Sequence, residues 1–153
     1  TTQKTSYTDK DVQMGLYYAY EVRPCNYSRD YRSDAESVYV EPVYTAVSVA
    51  KLSQKPDQYL SAFVRVSGLR RVSQSFSGND LKLLCRYTAD HHTYYVYLLL
   101  ENYHDWDWED GNGIASCSTV SSISGKGQVQ EYTSYGGVRN VPVLRLSRID
   151  WEY

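Results

Sequence analysis

VYTAVSVAKLSQKPDQYLSAFVRVSGLR, from Val43 to Arg70, decides the architecture. Ser48 is placed to cap a short helix through Val49, Ala50, Lys51 and Leu52, because its hydroxyl can accept from a free N–H of the first turn. Pro56 stops that helix, having no N–H to continue it. Tyr59 and Leu60 then pin the turn to a core. Ala62 to Val66 alternates, so Val64 and Val66 share one face of a strand while Phe63 and Arg65 share the other. Gly68 breaks the strand, as a bend or bulge in a tightly curved sheet requires.

The pattern downstream is also one of strands. Ser77-Gly78-Asn79-Asp80 is turn chemistry. After it, Leu81, Leu83, Cys85 and Tyr87 form one face, with Lys82, Leu84 and Arg86 on the other. Ala89-Asp90-His91-His92 leads into Thr93–Glu101, whose near-continuous apolarity predicts a central strand buried on both faces. Asn102 to Gly113 reads as an acidic, aromatic loop and Ile114 to Ile123 as a Ser-rich strand. Gly125-Lys126-Gly127 reads as a turn and Val129 to Tyr132 as a short strand. Tyr135-Gly136-Gly137 turns again before Val141–Ile149 closes the sheet.

Upstream, residues 1–10 are a polar arm and Val12 to Val22 is a Tyr-rich strand. Arg23 to Ser37 is a charged loop. Val38 to Tyr44 is a short strand whose Pro42 favours an edge. The expectation is two parts: an arm and β extension over residues 1–43, and one all-β domain over 44–153.

Composition narrows the function classes. The 153 residues suit one core with an appendage. Hydrophobic residues make up 42% and charged residues 22%, which is globular. The formal net charge of -2 counts against a dedicated, strongly basic nucleic-acid binder. No run approaches the roughly 20 apolar residues of a membrane-spanning helix. The 17 Tyr, against 2 Phe, suit strands with a wet face, interfaces and sugar-binding surfaces. The chain begins at Thr1 without an initiator Met, as after trimming or removal of a targeting peptide. Its Tyr, Thr and Ser content fits a secreted or cell-surface protein. Cys25, Cys85 and Cys117 would give one disulfide and one spare thiol in an oxidising compartment. Asn26-Tyr27-Ser28 matches the glycosylation pattern.

Tyr44 through Asp150 resembles the OB-fold, specifically small prokaryotic OB domains of the tRNA anticodon-binding-like type. Three stretches carry the resemblance: Val47-Ser48-Val49-Ala50-Lys51-Leu52, Lys55-Pro56-Asp57-Gln58-Tyr59-Leu60 and Val64-Arg65-Val66-Ser67-Gly68. Val141-Pro142-Val143-Leu144-Arg145-Leu146 is similar to that family's last strand. Ser61-Ala62 stands where the family has Gly after Tyr-Leu. The resemblance implies a five-stranded Greek-key barrel with one short helix, and a partner face across its central strands.

Three groups of residues are candidates for a site. Arg65, Arg70, Arg71, Lys82, Arg86, Arg145 and Arg148 fall on strands or their ends. With Phe63, Tyr95 and Tyr97 beside them, such cations would grip single-stranded nucleic acid, the aromatics serving as base platforms. In the acidic loop, Trp106 and Trp108 alternate with Asp105, Asp107 and Glu109. That pattern suits a sugar or protein contact, or oxygens for calcium. The spacing is not that of an EF-hand, since Asp110 takes the Gly position and Ser116 that of the bidentate Glu. The bland alternative folds both Trp onto the barrel. His91 and His92 are adjacent and would point oppositely on a strand, so they cannot chelate together. No nucleophile elbow or CxxC is present. The sequence therefore points to a non-enzymatic module without a cofactor. Its expected partner is protein, chiefly copies of itself, because acids cluster in Glu101–Asp110 while the strands are basic. Oligosaccharide or single-stranded nucleic acid is the alternative.

Overall fold

The computed structural model describes residues 8–10, 18–22, 36–40, 42–107 and 113–152. Two compact units divide the chain, Thr1–Val43 and Tyr44–Tyr153. In the first, β1 (Tyr18–Val22) pairs antiparallel with β2 (Glu36–Val40), with Tyr20 opposite Val38. The Tyr20 hydroxyl donates to the Asp9 carboxylate at 3.1 Å.

The second unit begins with β3 (Thr45–Ala46), α1 (Val49–Gln54) and α2 (Pro56–Tyr59). Ser48 caps α1 as its chemistry dictates, its hydroxyl accepting from the Lys51 N–H at 3.2 Å. Pro56 opens α2 at the first turn, where its missing N–H costs nothing. Tyr59 is buried, but Leu60 is 52% exposed, so only the Tyr anchors this turn.

The long strands follow: β4 (Phe63–Ser77), β5 (Asp80–Ala89) and β6 (His92–Leu100), then β7 (Ser122–Tyr135) and β8 (Val138–Glu152). The sheet order is β3-β4-β5-β6-β8-β7, and β4 pairs with β7 as well as β5, which closes the sheet on itself. β3–β4 and β6–β8 run parallel; the other pairs of this sheet are antiparallel. This all-β closure is an OB-type five-stranded barrel. Between β6 and β7 lie a short 3-10 turn, Tyr103–Asp105, and the short helix α3 (Gly113–Ser116).

Other readings change as well. Gly68 does not end its strand; β4 runs on to Ser77. Gly68, at φ +71, sits in the bulge where β4 leaves β7 and meets β5. Gly125-Lys126-Gly127 is not a turn but the middle of β7. A Cβ on Gly127 would lie 2.2 Å from the Arg145 carbonyl oxygen, so bare backbone is needed there for β7 and β8 to meet. Ile114 belongs to α3 and is fully buried.

The barrel is filled by one side-chain set. Val64, Val66, Leu69, Leu81, Leu83, Cys85, Val96, Leu98, Leu100, Ile123, Leu144 and Ile149 point inward, and Val49 and Leu52 of α1 join them. β6 and β7 as far as Val129 alternate buried and partly exposed positions, and β5 does so except at Leu84, which is buried as well, so the other set otherwise faces out. β6 is thus buried on one face and half-covered on the other.

Candidate nucleic-acid interface

Hairpin register sets what lies side by side on the outer surface. Asp90 and His91, both at positive φ, form the two-residue turn between β5 and β6. That turn places Arg86 directly opposite Tyr95 and Leu84 opposite Tyr97. The Lys82 ammonium lies 4.4 Å from the centre of the Tyr97 ring, a cation–π contact across the pair. The Tyr95 ring meets that of Tyr135 edge-on at 4.9 Å. On the other side of β5, Arg70 is the register partner of Arg86, and both are exposed. Neither makes an ion pair among the described residues.

Residues directly opposite on antiparallel strands have Cβ atoms about 5 Å apart, and like charges there destabilise the pairing. The β4–β5–β6 face therefore carries an unneutralised Arg70–Arg86 pair, with Tyr95, Tyr97 and Lys82 alongside. Lys82, Arg86, Tyr95 and Tyr97 are brought together as a group.

The other expected residues are placed elsewhere. Arg145 is opposite Leu99, and its guanidinium pairs with the Glu101 carboxylate at 2.6 Å. It arrives already neutralised. Phe63 and Arg65 lie on the first half of β4, opposite Gln128 and Lys126 of β7. Arg148 forks onto Asp150, at 3.1 and 2.9 Å. Arg71 turns inward, donating to the Ile114 carbonyl at 2.7 Å and to the Cys117 carbonyl. Its role is to hold the carbonyls of α3 and the residue after it, where helix ends leave acceptors unmet.

Within the acidic loop, the Trp106 indole N–H donates to the Glu101 carbonyl at 3.0 Å, and its ring packs on the core. Trp106 is thus folded onto the barrel. Tyr103 continues this aromatic lid, its ring 5.3 Å from that of Phe76. Asp105 and Asp107 are exposed. Trp108 and Glu109 lie outside the described residues, as do Cys25 and Asn26. Among the described residues no three His, Cys, Asp or Glu side chains converge to hold a metal. His91 occupies a turn and His92 opens β6.

Cys85 and Cys117 are both free thiols. Burial pushes the Cys85 thiol up to about 12, against a smaller opposing pull from the Arg71 guanidinium. Such a thiol stays protonated and inert. The Tyr132 hydroxyl is also pushed up to about 12, mainly by burial and further by Tyr59 and Asp57. It donates to the Leu52 carbonyl at 3.0 Å, tying β7 to the end of α1.

One cationic position and one pairing escaped the reading of the sequence as a site. Lys126 was hidden by the apparent Gly-Lys-Gly turn. The Arg70–Arg86 opposition depends on the bulge after Arg71, which local pattern does not reveal.

Among the described residues no helix is long and apolar enough to cross a membrane. No family model matches the chain. No curated protein matches it either. Among solved structures it is similar to one described as an aspartyl-tRNA synthetase from Leishmania major Friedlin, with 12% identity and a TM-score of 0.48. The match covers 84% of this chain and 22% of that one, so the chain spans about a fifth of that protein.

Proposed function

We propose that this chain is a non-enzymatic binding module, and that the outer face of β4–β5–β6 binds single-stranded nucleic acid. The Arg70–Arg86 opposition carries the reading. Folding tolerates two exposed guanidinium groups side by side at a cost, and a phosphate between them reverses its sign. Tyr95 and Tyr97 next to them supply half-buried rings for bases. Rings beside cations favour nucleic acid; rings beside acids and amides would have favoured sugar. Its place among small prokaryotic OB domains of the anticodon-binding-like type belongs to the same proposal.

The test is fluorescence anisotropy of a labelled oligo-dT with the full chain at low and moderate salt. Binding that weakens steeply with salt is expected, with a log–log slope near -0.7 per phosphate contacted. Arg86→Ala weakens it about tenfold, as expected for one charge-assisted contact of about 1.4 kcal/mol. No binding at low salt would sink the proposal.

One observation favours a second reading. The described sheet of Thr1–Val43 has two strands of five residues each, and such a ribbon is marginal by itself in water. In that reading the β extension completes its sheet on another copy, and the chain is a secreted or cell-surface unit of an oligomer or filament. Light scattering of the natively purified protein decides it: a monodisperse monomer at all concentrations would remove it.

A further inference from the structure

We infer that the same ligand strand continues across β4 to a second nucleotide subsite, built by Arg65 and Lys126 with Tyr44 and Phe63. This inference rests on the proposed nucleic-acid reading and extends it to the opposite flank of the barrel. Arg65 of β4 and Lys126 of β7 are direct register partners. Val64 and Val66 beside Arg65, and Gly125 and Gly127 beside Lys126, are buried, so both cations face out. Neither makes an ion pair among the described residues. This is the second unneutralised cation opposition on the barrel, and it shares β4 with the first.

Aromatic rings adjoin it. The Tyr44 ring meets that of Phe63 edge-on at 5.7 Å, and the Lys126 ammonium lies 5.9 Å from the Tyr44 ring centre. Tyr44 is held in place through its hydroxyl, 2.7 Å from that of Ser147. Two cations for a phosphate and a pair of rings for a base make a nucleotide subsite.

A cleft of about 270 Å³ beside Arg65 is lined by Arg65 and Ser67 of β4, by Ala46, Val47 and Ser48, and by Tyr87 of β5. Arg65 and Arg70 are five residues apart, or about 16 Å of strand. A strand of nucleic acid lying along β4 would therefore meet Arg86 and Arg70 first, then Arg65 and Lys126.

Length dependence tests this. OB domains engage roughly 4 to 16 nucleotides. Labelled oligo-dT of 4 and of 12 nucleotides is titrated into the full chain and into its Arg65→Ala/Lys126→Ala variant. The tetramer should bind both proteins alike. The 12-mer should bind the wild type more tightly, lose about tenfold in the variant, and show a salt slope shallower by about 1.4, two phosphates' worth. Arg65→Gln/Lys126→Gln keeps the side-chain bulk if the alanine variant melts early. Inorganic polyphosphate should compete poorly, since it offers nothing to Tyr44 and Phe63; equal competition would overturn the nucleotide assignment. A 12-mer indifferent to both variants would overturn the inference alone. If neither length binds the wild type, the proposed function falls with it.

Discussion

Ser61 is held at φ +65, in the left-handed region, where its N–H donates to the Val129 carbonyl at 2.8 Å. An L-residue there costs about 1 kcal/mol because Cβ crowds the following carbonyl. The resembling family has Gly after Tyr-Leu, and the backbone here shows why: the chain must reverse between α2 and β4. Ser61→Gly should raise stability by about 1 kcal/mol, seen as a thermal midpoint higher by about 5 °C. A lower midpoint would mean the conformation is not strained. Cys85 makes a second prediction at this scale. Its folded pKa, about 12, exceeds the ordinary 9.0, so the folded state holds the proton more tightly than the unfolded one. Stability from this group is complete below pH 9 and is lost as pH rises toward 12, by up to about 1.4 kcal/mol per pH unit. Urea melts of wild type and Cys85→Ala at pH 8 and 10 should show a steeper loss in the wild type. Equal losses would place the thiol in water.

Among the elements, β7 is the one whose sequence misleads. Gly-Lys-Gly is turn chemistry wherever the chain is free to choose, yet Gly125 and Gly127 sit mid-strand with buried backbones. The reason is tertiary: β8 presses its Arg145 carbonyl against Gly127, and Leu146 lies against Gly125. No local pattern reports that approach, so Lys126 was hidden from the candidate site along with the strand itself. Gly127→Ala should cost about 3 kcal/mol or abolish folding, since the 2.2 Å approach is to backbone. Urea melts measure it, and an unchanged midpoint would contradict the closure at this point. By contrast, β5 was legible except at Leu84, which shares the face of Lys82 and Arg86 and yet is buried. Its alternation put Leu81, Leu83 and Cys85 inside and Lys82 and Arg86 outside, because a half-buried strand repeats every two residues. The Ser48 cap was legible for a similar reason: helix starts are satisfied within three residues. What was local could be read; register across bulges and close backbone approach could not.

At the scale of the whole molecule, the core decides which part stands alone. Among the described residues, every buried member of the hydrophobic cluster lies between Val49 and Ile149, and the described strands of the barrel close without one from Thr1–Val43. About a hundred residues with a closed barrel and a capping helix bury enough apolar surface to fold independently. The described ribbon of the first unit has two short strands and falls short of that size. Cutting the chain before Tyr44 should therefore leave a cooperative unfolding transition, with a midpoint within a few degrees of the full chain by near-ultraviolet circular dichroism. Residues 1–43 alone should show no such transition. The truncated barrel should also keep its affinity for oligo-dT, because Arg70, Arg86, Arg65 and Lys126 all lie on its strands. Light scattering on the same pair of proteins separates the two functional readings. An oligomer lost on truncation, with binding retained, assigns assembly to the extension and recognition to the barrel. A truncated barrel that melts without a cooperative transition would overturn this division and make the extension part of the fold.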